Sequence, residues 1–171
     1  MRQFTTAVVA LAIVGPGALR ASEPSAEDRD GVRLGGGFFA DTVRRAVRGA
    51  AERLADASCA AILDEFTDRS GRVLRERLEA LALDAPAYAR QVLFYDGTNE
   101  APCRRNARLH AYTLPGSRVV RTCPSLAALA LEDPGRAEAV VIHEVLHTLG
   151  LGEDPPSGRE ITARVERRCG R

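Results

Sequence analysis

His143, Glu144 and His147 are the residues of this chain whose types and spacing could do chemistry together. They stand in the run His143-Glu144-Val145-Leu146-His147, an H-E-x-x-H pattern. On a helix, side chains four residues apart leave from one face, so both imidazoles can converge on one ion. Zinc suits such a pair. It takes neutral imidazole nitrogens at about 2.0 Å and, in catalytic sites, keeps one position open for water. The ion brings that water's pKa towards roughly 7. Glu144 lies about a hundred degrees around the helix from His143, close to the ion but badly placed to complete its tetrahedral set. It is the expected general base, taking the water's proton and later delivering it to a leaving amine.

This chemistry needs a helix with firm ends. Asp133 can cap free amides and Pro134 suits the first helical position. Residues 137–149 follow without a breaker, and Gly150 supplies a stop. Ile142, Leu146 and Leu149 share the face that would pack on a core. Beyond Gly150 the chain turns to Glu153, six residues after His147 and the expected third ligand. Asp154 beside it is the fallback. Glu166 competes, on a helix that the Ser157-x-x-Glu160 capping box would open. Pro155 and Pro156 would stiffen the exit of the loop and fix where Glu153 points.

The run H-E-x-x-H-x-x-G-x-x-E resembles the metzincin metallopeptidases, whose third ligand sits six residues after the second His. That resemblance implies a zinc-dependent peptide-bond hydrolase with His143, His147 and Glu153 as ligands. It covers about a dozen residues. Met1 is the only Met, so the Met-turn of that family is missing, and Glu stands where the family usually has His or Asp. The chain is also similar to thermolysin-like gluzincins, in which a Glu from a later helix binds zinc; Glu166 would be that residue. Residues 111–116 with Val119, Val120 and Cys123 resemble the sheet edge of deuterolysin-like aspzincins, although the downstream Gly-Thr-x-x-Asp is absent. Together the likenesses imply a zincin-like domain and leave the family open. Zincins bind extended peptide along a sheet edge beside the zinc helix, and the hairpin expected over 107–122 is the candidate edge.

His110 and Tyr112 stand two apart on that predicted strand and so point to one side. Either could stabilise an oxyanion if the strand flanks the cleft. An ordinary polar strand face is the plainer expectation.

The rest of the chain sets the context. Its 171 residues are the size of one domain. A formal net charge of +1, with Arg scattered rather than clustered, gives no footprint for nucleic acid. Arg2 followed by an uncharged apolar run over 4–14, then Pro16 and small residues up to Ala21, reads as a secretory signal peptide over 1–21. The apolar run is about half the roughly twenty residues a spanning helix needs, so export rather than stable membrane insertion is expected. Residues 22–37, rich in charge, Ser and Gly, read as a flexible lead-in to a domain over 38–171. Four cysteines in an exported chain suggest two disulfides. Cys103–Cys123 and Cys59–Cys169 are the favoured pairs, the first closing a two-strand loop and the second tying the C-terminal helix to the N-terminal helical region.

Helical periodicity over 38–66 and 73–83 comes first. Strand-like runs follow at 91–95, 107–113 and 118–122, and helices close the chain. This order predicts an α+β single domain, a small antiparallel or mixed sheet packed with helices. The expected partner is a peptide or protein substrate, and the residues do not specify an oligomeric state. Two other functions fit the same motif. One is an exported binding or structural module whose zinc only staples the fold, closed by four protein ligands. The other is a zinc amidase acting on small or cell-wall amides.

Overall fold

Two helices carry the apolar stripes that the core is built around. A computed structural model describes residues 31–170. Helix α1 (Phe38–Leu54) buries Val43, Val47, Ala50 and Leu54 at helical spacing, with Arg residues on its other faces. Helix α7 (Pro134–Thr148) is buried along most of its second half, from Val141 to Thr148. Six further helices complete the α layer: α2 (Ala57–Ala60), α3 (Leu74–Glu79), α4 (Ala85–Gln91), α5 (Ala101–Arg105), α6 (Pro124–Glu132) and α8 (Gly158–Cys169). A 3-10 turn over Ala61–Asp64 follows α2 directly. α1 packs on α4, α6 and α7, and α8 packs on α7.

The sheet has four strands among the described residues, β1 (Val32–Arg33), β2 (Leu93–Asp96), β3 (Ala111–Thr113) and β4 (Val119–Thr122), in the order β1-β2-β4-β3. β1, β2 and β4 run parallel, and β3 lies antiparallel on the outside of β4. Val32, Phe94 and Val120 point inward and join the helices in one core. The architecture is therefore the expected α+β with a small mixed sheet.

The signal-peptide reading over 1–21 and the first part of the lead-in fall outside the described residues. The lead-in was expected to run to residue 37, but its later part is built into the sheet. Val32 and Leu34 alternate inward at 4% and 9% exposure, and Arg33 faces out. Gly31 makes this possible. A Cβ there would come within 1.7 Å of the Val92 carbonyl oxygen, so only glycine lets β1 close against β2. The strand expected over 107–113 is shorter than its apolar pattern, because Asn106 caps a turn through Arg108 before β3 begins.

Both cysteine pairs form as favoured. Cys59–Cys169 joins α2 to the end of α8 across 110 residues, and Cys103–Cys123 spans 20 residues around β3 and β4. Among the described residues no helix is long and apolar enough to cross a membrane.

Candidate metal centre

Helix α7 begins and ends as its sequence dictates. The Asp133 carboxylate accepts the Arg136 amide at 3.0 Å, and Pro134 occupies the first turn, where no amide partner is needed. At the other end Gly150 takes a φ of +113°, and its amide donates to the His147 carbonyl at 2.9 Å. A side chain at residue 150 would be strained, and its Cβ would sit 3.0 Å from the Cβ of Asp68. Gly150→Ala is therefore expected to lower stability by about 1–3 kcal/mol, read as a shift in the denaturant midpoint.

The turn at Gly150 brings Glu153 back over α7. His143 Nε2 and His147 Nε2 stand 2.9 Å apart, and Glu153 Oε1 lies 3.4 Å from the first and 3.1 Å from the second. Ligand atoms about 2.0–2.1 Å from a tetrahedral ion are separated from one another by roughly 3.3 Å. The three atoms thus already have the spacing of three corners of one coordination sphere.

The other ring nitrogens decide which atoms face the centre. His147 Nδ1 lies 2.8 Å from the Leu151 carbonyl, which can only accept, so this nitrogen carries the proton. His143 Nδ1 lies 2.9 Å from Thr162 Oγ1. That hydroxyl spends its own proton on the Gly158 carbonyl at 3.0 Å, so it accepts from His143. Both imidazoles consequently turn an Nε2 lone pair to the same point. Two lone pairs and a carboxylate at this distance repel one another unless a cation lies between them. The hydrogen bond to His143 is the largest of the effects that hold the Glu153 carboxyl down at about 2, against its partial burial. Burial keeps the His147 imidazole below its usual range and so neutral at pH 7, as a ligand must be. The His143, His147 and Glu153 group can hold a metal ion. Thr162→Val removes the acceptor that orients His143. It should weaken metal binding about 10–100-fold in a chelator competition, with the fold intact.

Glu144 sits beside this group and is 6% exposed. Burial first, and the Glu153 charge second, push its carboxyl up to about 8. Its Oε2 is buried without a hydrogen-bond partner. A buried oxygen left without a partner in this way is a costly feature.

Glu144, His147 and Glu153 line a cleft of about 300 Å³ whose opposite wall is β3 with Leu109 and Pro115. Cys123 donates its amide to the His110 carbonyl at 2.9 Å, so this residue pair is hydrogen-bonded, and the alternation makes Tyr112–Arg121 the next such pair. The amides and carbonyls of Ala111 and Thr113 therefore turn away from β4 to the free edge. The β3–β4 turn is pinned to the helix by the Gly116 amide, which donates to the His147 carbonyl at 2.8 Å. A larger hollow of about 790 Å³ lies beside the first and shares Arg69 and Glu153 with it.

The remaining candidates separate cleanly. Asp154 is exposed and Glu166 is exposed on α8; neither belongs to the group that could hold a metal ion. Thr162, one turn before Glu166, has the place beside His143 instead. Tyr112 lines the cleft, but its hydroxyl donates to Glu100, which also holds Arg121 at 3.2 Å. His110 does not line the cleft, and its Nδ1 is buried without a partner. Neither is free to meet an oxyanion at the centre in this arrangement. Sequence reasoning missed Thr162 and Arg69. The only sign of Thr162 was a hydroxyl next to the buried face of Ile161 and Val165; nothing marks Arg69 among so many Arg.

No protein-family model, curated protein or solved structure matches this chain.

Proposed function

We propose that the chain is an exported zinc-dependent metallopeptidase with a zincin-like domain. The observation that carries this reading is the convergence of two Nε2 lone pairs and the Glu153 carboxylate at 2.9–3.4 Å beside the unpartnered Oε2 of Glu144. Two imidazole nitrogens and one carboxylate oxygen are a donor set suited to zinc. Among the described residues only three such side chains gather, one fewer than a closed structural zinc site uses. That favours catalysis over a structural staple.

A zinc ion held there would supply a Lewis acid for the substrate carbonyl and lower the pKa of an adjacent water. The chain's own residues do the rest. Thr162 and the Leu151 carbonyl fix the imidazole tautomers. A cation bound beside Glu144 would favour its ionised form, and Oε2 would then take a proton from water and return it to the leaving amine. The free edge of β3 offers the amides and carbonyls of Ala111 and Thr113 to an extended peptide, which would lie across the mouth of the cleft. Two disulfides suit an oxidising compartment and support export.

Purified mature protein should cleave casein, lose that cleavage on chelation and recover it with zinc but not with magnesium. Casein cleavage that survives full metal removal would overturn the metallopeptidase reading.

A further inference from the structure

Arg69 is carried at the edge of the centre by a short rigid loop. The Asp68 carboxylate accepts the amides of Ser70 at 2.8 Å and Arg72 at 3.0 Å, and the Asp68 amide donates to the Arg72 carbonyl at 2.7 Å. The Thr67–Val73 bridge closes the loop at its base, and Asp68 rests against Gly150 at the end of α7. Arg69 Nε comes to 3.6 Å from where a Cβ on Gly152 would stand, one residue before the third metal-holding side chain.

Two guanidinium groups line the hollows on either side of Glu153, those of Arg69 and Arg164. Arg164 is engaged by Glu160 at 2.6 Å and stacks 5.0 Å over Phe66. The acids lining the larger hollow are mostly answered as well. Glu65 pairs with Arg168, and Asp68 with Arg72 and Arg77. Arg69 has no hydrogen bond or ion pair among the described residues, Glu153 included. It therefore stands clear of the metal-holding oxygen. It lines the same cleft as Glu144 and His147, so a substrate lying in that cleft passes within reach of it.

We propose that Arg69 binds a carboxylate of the substrate peptide close to the scissile bond, so that the cleft selects peptides with an anionic group there. This rests on the peptide-hydrolase reading. The planar guanidinium fork matches a carboxylate with two parallel hydrogen bonds. The carboxylate could be a peptide C-terminus or an acidic side chain, and the two sources are separable.

The test uses zinc-loaded full-length mature protein and N-acetylated hexapeptides from a cleaved casein segment. Each is made as C-terminal acid and amide, and with Glu or Gln beside the scissile bond. Wild type should favour one anionic member of these pairs by about tenfold in KM, the worth of one charge-assisted contact. The acid–amide pair reports a C-terminal carboxylate; the Glu–Gln pair reports a side chain. Arg69→Gln should erase the preference with kcat within about twofold, and Arg69→Lys should restore part of it. Calorimetric binding to Glu144→Gln protein, with and without Arg69→Gln, should show the same preference and its loss. A preference unchanged in Arg69→Gln, or a fall in kcat with KM ratios intact, would overturn the proposal. Wild type that cleaves nothing while still binding the anionic peptides through Arg69 would sink the hydrolase reading alone. Cleavage without any anionic preference would sink only the role of Arg69.

Discussion

Glu144→Gln is expected to retain zinc at the wild-type level and to lose about 10²–10⁴-fold in kcat on peptide, the usual range for removing a general base. The amide keeps the size of the carboxyl but cannot take a proton from water. Stability should not fall. Glu144 is 6% exposed, its Oε2 has no partner, and burial already pushes its carboxyl up to about 8. Gln removes a buried ionisable group that forms no ion pair, so the melting temperature should stay level or rise. The variant thus separates chemistry from folding: metal content and stability hold while turnover collapses. A Glu144→Gln enzyme within threefold of wild type would show that the proton moves by another route.

The largest stability effect should come from the bond that closes the longer loop. Breaking Cys59–Cys169 with Ala at both positions releases a loop of 110 residues. Chain-entropy reasoning puts that loss at about 5 kcal/mol, against about 3 kcal/mol for Cys103–Cys123 and its 20-residue separation. Domains of this size are stable by about 5–15 kcal/mol, so losing the first bond leaves the molecule near its limit. The damage should reach the metal centre. Cys169 closes α8, and α8 carries Thr162 against His143. Urea unfolding of the two double variants should therefore rank Cys59/Cys169 as the more damaging. Zinc should also be released at lower urea in that variant than in Cys103/Cys123. Equal losses would mean that native packing, not loop closure, sets the contribution of each bond.

The parts of the site that depend on near neighbours were legible in the sequence. Asp133-Pro134, the four-residue spacing of His143 and His147, and Gly150 each act within a turn or two, and local rules hold there. Glu153 was legible for the same reason, since a tight exit at Gly150 leaves few places for a residue three positions later. The choice between Glu153 and Glu166 was not local. It turned on how α8 docks, and docking put Thr162 rather than Glu166 beside His143. β1 was hidden because two residues carry too little pattern, and its partner β2 is some sixty positions away in sequence. Tyr112 was correctly placed on the strand at the cleft, but its hydroxyl goes to Glu100, a contact between loop and strand that no periodicity announces. Arg69 lies at the edge of the centre on a loop that packs against Gly150 and Gly152, some eighty positions away in sequence. The mixed sheet follows from the same kind of long-range pairing, which is why helices, strands and their order were readable while the strand arrangement β1-β2-β4-β3 was not.

The measurement that meets the central claim most directly is bound metal per chain, by plasma mass spectrometry, in wild type and Glu144→Gln purified without added metal. One zinc per chain in both is the predicted result, because the group that could hold the ion, His143, His147 and Glu153, does not include Glu144. Wild-type protein that carries no transition metal, and takes up none when zinc is supplied, would contradict the account.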